Sequence, residues 1–133
     1  MKVLVCGPRI WLEQKPIEEA LRTFPTGTIL VHGGARGADV IAGFVGELFG
    51  FEVREYAVDH ALDGPWPAAG VRRNSRMLRG EHPSSDGTFV DVGIGFRLAP
   101  EFSRGTGNMV RQLRAASPEI EVREAYHPAR KTR

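Results

Sequence analysis

The sequence predicts an α/β fold, a single-domain Rossmann-like three-layer sandwich with a mostly parallel sheet. Three observations carry that prediction. Short apolar or β-branched runs alternate along the chain with stretches whose apolar residues recur every three or four positions, the pattern of βαβ units. Glycine-rich turns sit at the steps from strand to helix. The 133 residues are close to the common size of one domain with one core, and no internal repeat is visible.

Residues 2–6 (KVLVC) form an apolar run broken by Gly7-Pro8, which predicts a first buried strand and its exit turn. Ile17, Ala20, Leu21 and Phe24 follow at the spacing of one helix face, with Pro16 near the start. Residues 28–31 predict a second strand. Residues 40–49 predict a second helix with a broad apolar stripe of Val40, Ile41, Phe44, Val45, Leu48 and Phe49, stopped by Gly50. Residues 51–56 (FEVREY) alternate apolar and charged, so a third strand has one face partly wet. Residues 57–70, with two prolines, two glycines and Trp66, predict a loop. A short basic helix follows over 71–79. After the turn-rich GEHPSSDG come a fourth strand over 88–96, a second loop, a last helix around Met109, Val110, Leu113 and Ala116, and a last strand at 120–122. Gly93 and Gly95 in the fourth strand imply that something packs closely on it. The domain is predicted over residues 1–125, with 126–133 as a basic tail.

Composition narrows the function classes. An apolar share of 41% and a charged share of 26% are those of an ordinary globular chain. No apolar run approaches the roughly 20 residues of a membrane span, and the start of the chain lacks a signal peptide, so the predicted location is cytoplasmic. The single cysteine, Cys6, excludes an internal disulfide and a cysteine-rich zinc site. His60, His82 and His127 have no partner at metal-ligand spacing, so neither a metal nor a cofactor is predicted. The formal charge is only +2, but RRNSRMLR at 72–79 and ARKTR at the end concentrate the basic residues.

In parallel sheets, ligands bind beyond the carboxyl ends of the strands. That rule places Gly7 to Arg9, His32 to Asp39, the segment around Arg73 and Ser103 to Asn108 on one rim. In HGGARGAD (32–39), Gly33 and Gly34 follow a strand and Gly37 opens a helix. Glycine lets a ligand approach the main chain, and the first helical amides are unpaired, so the turn reads either as an anion cradle or as a tight structural turn. It is neither G-x-G-x-x-G nor a Walker A loop. Asp39 is either a first-turn acid favoured by the helix dipole or an acceptor for ligand hydroxyls. FSRGTGNM (102–109) repeats the physics: Ser103 and Thr106 either cap a helix or, with Gly105, hold phosphate. Arg73 and Met77 share one face of the basic helix, whereas Arg72, Arg76 and Arg79 share another that reads as solvated. Arg73 with Asn74 can face the rim, where a guanidinium pairs with phosphate or carboxylate. Trp66 is either a core plug or a stacking surface for a base. His32 reads as a structural histidine.

With those segments in place, the chain resembles the YspA-like members of the SLOG superfamily, the Rossmann-like group that includes the LOG proteins and DprA. The residues that carry the resemblance are Cys6-Gly7-Pro8-Arg9, VHGGARGAD at 31–39, RRNSRM at 72–77, VDVGIGF at 90–96 and SRGTGNM at 103–109. It covers about residues 2–123 and implies binding of a nucleotide or nucleotide-derived small molecule, in a group found in bacteria and their phages. LOG-type phosphoribohydrolases carry a glutamate where this chain has Met109, and a thioether cannot handle a proton. Pro8 likewise stands where the family offers a hydroxyl.

The expected function is therefore nucleotide-derivative binding by a sensor or sequestering module. Gly33, Gly34, Gly37, Gly105 and Thr106 hold phosphate, with Gly7 and Ser103 also among the ligand-binding residues; Arg9, Arg36 and Arg73 neutralise charge; Asp39 and Asn74 read ribose or base. One rival is a nucleotide N-glycosidase using Asp39 or Asp91 as its acid. The other is DprA-like nucleic-acid binding through Arg72, Arg76, Arg79 and the tail. Exposed apolar helix faces make a homo-oligomer a further expectation, and no membrane partner is expected.

Overall fold

A computed structural model describes residues 1–83, 85–98, 104–116 and 120–126 of the chain. Five strands form one sheet: β1 (Lys2–Cys6), β2 (Ile29–His32), β3 (Glu52–Glu55), β4 (Val92–Arg97) and β5 (Glu121–Tyr126). Their order is β3-β2-β1-β4-β5, and every neighbouring pair is parallel. Helices α1 (Lys15–Leu21) and α2 (Ala38–Leu48) cover one face; α4 (Ala69–Arg79) and α5 (Arg104–Ala116) cover the other, with the short α3 (His60–Asp63) packed on α4. The fold is the predicted three-layer α/β sandwich.

Side-chain alternation in the central strand divides the core. Val3 and Val5 point into the layer with Trp11, Ile17, Leu21, Leu30, Ala42, Val45 and Phe96. Leu4 and Cys6 point into the layer with Val31, Tyr56, Met77, Met109 and Leu113. Successive residues of a strand face opposite sides, so a continuous apolar run is what a strand covered on both faces needs. In β4 the same alternation puts Val92, Ile94 and Phe96 on the α1/α2 face and Gly93 and Gly95 on the other. A Cβ at Gly93 would lie 2.9 Å from Leu113 Cδ2, and one at Gly95 would lie 3.0 Å from Val110 Cγ2. These glycines let α5 settle directly on the sheet, as their positions implied.

Three predicted elements are corrected. The fourth strand begins at Val92, not at residue 88, because the preceding segment is held elsewhere: Lys2 Nζ donates to both carboxylate oxygens of Asp86 and to Thr88, and the Val90 amide donates to Leu78 O. The loop over 57–70 contains α3, whose N-cap Asp59 accepts the Ala61 amide at 2.9 Å. The last strand spans Glu121–Tyr126, longer than the predicted 120–122 because it pairs with β4 along its whole length. The rest of the basic tail, 127–133, lies outside the described residues.

Because the sheet is wholly parallel, the carboxyl ends of β1, β2, β3 and β4 share one rim. The amino ends of α2 and α5 open onto it. That edge holds the groups considered next.

Candidate functional site

Four separate pieces of sequence meet at this rim, and glycine makes their contacts feasible. Gly37 has φ 85°, the left-handed region that favours glycine, and a Cβ there would lie 2.6 Å from the Arg9 carbonyl oxygen. Gly7 packs against Ala38 and Phe96, Gly33 lies under the Arg73 guanidinium, and Gly34 lies against the Glu55 side chain. Asn74 Nδ2 donates to Asn108 Oδ1 at 3.2 Å, which ties α4 to the first turns of α5. Buried Thr106 sits beside Gly95, which also neighbours Val110 and the Cys6 sulfur.

The amides of the glycine turn are largely used by the turn itself. The Gly33 N–H donates to Asp39 Oδ2 at 3.0 Å, and the Gly34 N–H donates to His32 Nδ1 at 3.0 Å. The Ala38 N–H points at Pro8 O, 3.5 Å away. The expectation that Gly33 and Gly34 hold phosphate through their own amides is therefore corrected, since intramolecular acceptors already occupy those donors. His32 is buried, and burial lowers its pKa against the pull of Glu55; it is the structural histidine that was expected.

What the turn leaves open is chemical rather than geometric. Asp39 is only 5% exposed, and its Oδ1 is buried without a hydrogen-bond partner among the described residues. Burial pushes its pKa up to about 6, opposed by the Gly33 amide, by the Arg73 charge and by the Ala35 and Gly7 amides. Arg73 donates through Nη1 to Gly33 O at 2.6 Å and to Tyr56 O at 2.9 Å, and through Nε to Asn74 Oδ1 at 3.1 Å. Its Nη2 makes no hydrogen bond among the described residues. Burial lowers the Arg73 pKa and Asp39 and Asp63 raise it, while Arg76 and Arg9 act as nearby like charges. Arg9 and Arg36 are exposed at the same edge.

Beside the turn, a cavity of about 450 Å³ is lined by Glu55, Ala57, Val58, Asp59, His60, Arg76, His82 and Pro83. Glu55 is common to the cavity wall and to the contact with Gly34. Neither Glu55 nor Asn108 stood out in the sequence, because each acquires its role from a neighbour far along the chain.

Several expectations fail on position. Asp91 accepts the Lys2 amide at 2.8 Å at the amino-terminal edge of β4, the edge opposite the rim, a strand length of about 20 Å away. It is removed from the candidate acids. Arg76 does not belong to a solvated face: it is buried, its Nε and Nη2 donate to Asp63 Oδ1 and Oδ2 at 2.7 and 2.8 Å, and it also donates to the His82 and Ala57 carbonyls. The basic stripe proposed for nucleic acid thereby loses its middle member. Trp66 is exposed and meets His60 edge-on at 5.6 Å, so it is no core plug. Met109 is buried in the α5 layer of the core. Gly105 lies in the first turn of α5, and Ser103 falls outside the described residues. Among the described residues no three His, Cys, Asp or Glu side chains converge as metal ligands, and no helix is long and apolar enough to cross a membrane.

No known family model matches the chain, and no solved structure does. The chain is similar to the Gene 61 protein of Mycobacterium phage D29, at 35% identity over 126 residues, covering 86% of this chain and 90% of the relative. The chain accordingly belongs to the family of this phage Gene 61 protein.

Proposed function

We propose that this protein binds a nucleotide or nucleotide-derived small molecule at the rim, as a sensor or sequestering module of the SLOG type. One observation carries the reading: a buried carboxylate oxygen without a partner, Asp39 Oδ1, beside an arginine with an uncommitted Nη2. Buried polar atoms are nearly always hydrogen-bonded, so this orphan behind the rim calls for a further donor, such as a ribose hydroxyl of the ligand. Arg73, with Arg9 and Arg36, supplies positive charge for the anionic part of the same ligand. With the Gly33 and Gly34 amides committed, guanidinium groups take over the phosphate-reading role, and the cavity beside Glu55 gives the remainder of the ligand room and further acceptors.

Thermal stability against mono-, di- and cyclic nucleotides, NAD and ADP-ribose tests this reading. A ligand at about 100 times its Kd adds roughly 2.7 kcal/mol. The gain should vanish in Arg73→Ala; no gain with any of the panel in the wild type would refute the reading.

The shifted Asp39 pKa favours one second reading. A carboxyl that titrates near 6 can serve as a general acid, and a nucleotide N-glycosidase needs one. Chromatography for free base after incubation with the same panel decides it: no release above an Asp39→Asn control ends the idea.

A further inference from the structure

Helix α2 shows the solvent the wrong kind of surface for a lone domain. Its exposed positions are Val40, Phe44, Glu47 and Leu48, three of them large and apolar, at 50, 54 and 62% exposure for Val40, Phe44 and Leu48. They lie at i, i+4 and i+8, so they form one continuous stripe along the helix. The outer faces of the other helices contrast with it: Lys15 and Glu19 on α1, Arg72 and Arg79 on α4, and Arg111 and Arg114 on α5 are the exposed charges there. The three side chains of the α2 stripe make an apolar surface on the order of 300 Å², where the largest patch of a monomer is about 300–600 Å² and commonly functional.

From this stripe we infer that the α2 face joins two copies of the chain in a two-fold dimer, with the helices antiparallel and Phe44 meeting Phe44 at the axis. The charges at its ends fit that occupant and orientation. Arg36 is exposed just before α2 and Glu47 in its last turn. An antiparallel pair sets Val40 against Leu48 of the second copy, which brings Arg36 and the positive helix end to the end where Glu47 of the second copy lies. A parallel pair would align like charges. The inference does not depend on the nucleotide reading.

Analytical ultracentrifugation at micromolar protein tests it together with crosslinking. The wild type should sediment as a dimer, and Phe44→Glu should weaken association on the order of a hundredfold while leaving the far-ultraviolet circular dichroism unchanged. Arg36→Glu and Glu47→Arg should each weaken the dimer, and the double exchange should restore it. Under mild oxidation Phe44→Cys should crosslink to itself, whereas Thr23→Cys, on an exposed turn, should not; Cys6 is buried and does not interfere. A monomeric wild type overturns the inference and leaves the stripe to a different protein. A dimer that Phe44→Glu leaves intact, or one without the Phe44→Cys crosslink, overturns it also.

Discussion

Asp39 and Asp63 are two deeply buried carboxylates, 5% and 1% exposed, each beside an arginine of α4, and they behave in opposite ways. Asp63 has both oxygens filled: Arg76 grips them with two donors, and the Asp59 amide adds a third at 2.9 Å. The hydrogen bonds from Arg76 pull its pKa down to about 2. Asp39 accepts the Gly33 amide on Oδ2, has the Ala35 and Gly7 amides nearby, and has no hydrogen-bond partner for Oδ1 among the described residues; desolvation pushes its pKa up to about 6. The arginines differ in the same sense, for Arg76 is locked in a fork while Arg73 is held by carbonyls with Nη2 to spare. At Asp39 desolvation outweighs the backbone amides and the Arg73 charge, whereas at Asp63 the hydrogen bonds from Arg76 outweigh a smaller desolvation. The saturated pair braces α3 against α4, and the unsaturated pair is the candidate binding centre.

The largest test of this contrast is Arg76→Ala. Removing one partner of a buried pair leaves a charge without compensation, and should cost about 3–5 kcal/mol in urea unfolding. A loss below 1 kcal/mol would show that the fork is not a brace, and the contrast would collapse.

Next is pH. Asp39 binds its proton more tightly folded than unfolded, so its contribution to stability grows as pH falls through about 6 and is complete below 3.8, a gain of about 3 kcal/mol. Asp63 has the opposite sign: its contribution is complete above 3.8 and is lost as pH falls toward about 2, worth about 2 kcal/mol. Asp39→Asn should abolish the rise near pH 6 and leave the acid loss intact. If unfolding curves across that range coincide for mutant and wild type, Asp39 is not the group that titrates.

Arg73→Ala should cost less, about 1–2 kcal/mol for its bonds to the Gly33 and Tyr56 carbonyls, yet remove all stabilisation by ligand. A large ligand effect on a small stability effect would mark the difference from Arg76. Smallest is Gly33→Ala, whose Cβ would meet Arg73 Nη1 at 2.7 Å, the mobile end of a side chain. It should change stability by about 1 kcal/mol or less while displacing the guanidinium, and unchanged affinity for a ligand that Arg73→Ala abolishes would mean that the position of Arg73 is not critical.

The rim could be read from sequence because it follows from topology: in a parallel sheet all strand ends with following helices share an edge, and HGGARGAD, RRNSRM and SRGTGNM all sit at such ends. The purpose of individual residues was less legible. Gly33 and Gly37 read as openings for a ligand, but they make room for Arg73 and for the Pro8-Arg9 main chain. Helical periodicity assigned Arg76 to the solvent, because its partner Asp63 lies across a turn in a proline-rich loop whose path no local pattern specifies. The apolar stripe of α2 was visible, but whether Val40, Phe44 and Leu48 lay in the core or outside it was not, since periodicity gives the width of a stripe and not how much of it the sheet covers.

The sequence by itself determined the α/β class, the parallel sheet and the edge at which its chemistry gathers, because these depend on the apolar period and on the turn residues between elements, which act over a few positions. Only the tertiary structure decided which buried charges are satisfied, that Asp91 lies on the far edge, that Arg76 is a brace, and that Asp39 keeps an empty oxygen. Those outcomes depend on distances of a few ångströms between residues many positions apart and on how deep the fold sets each carboxylate, which no local pattern specifies.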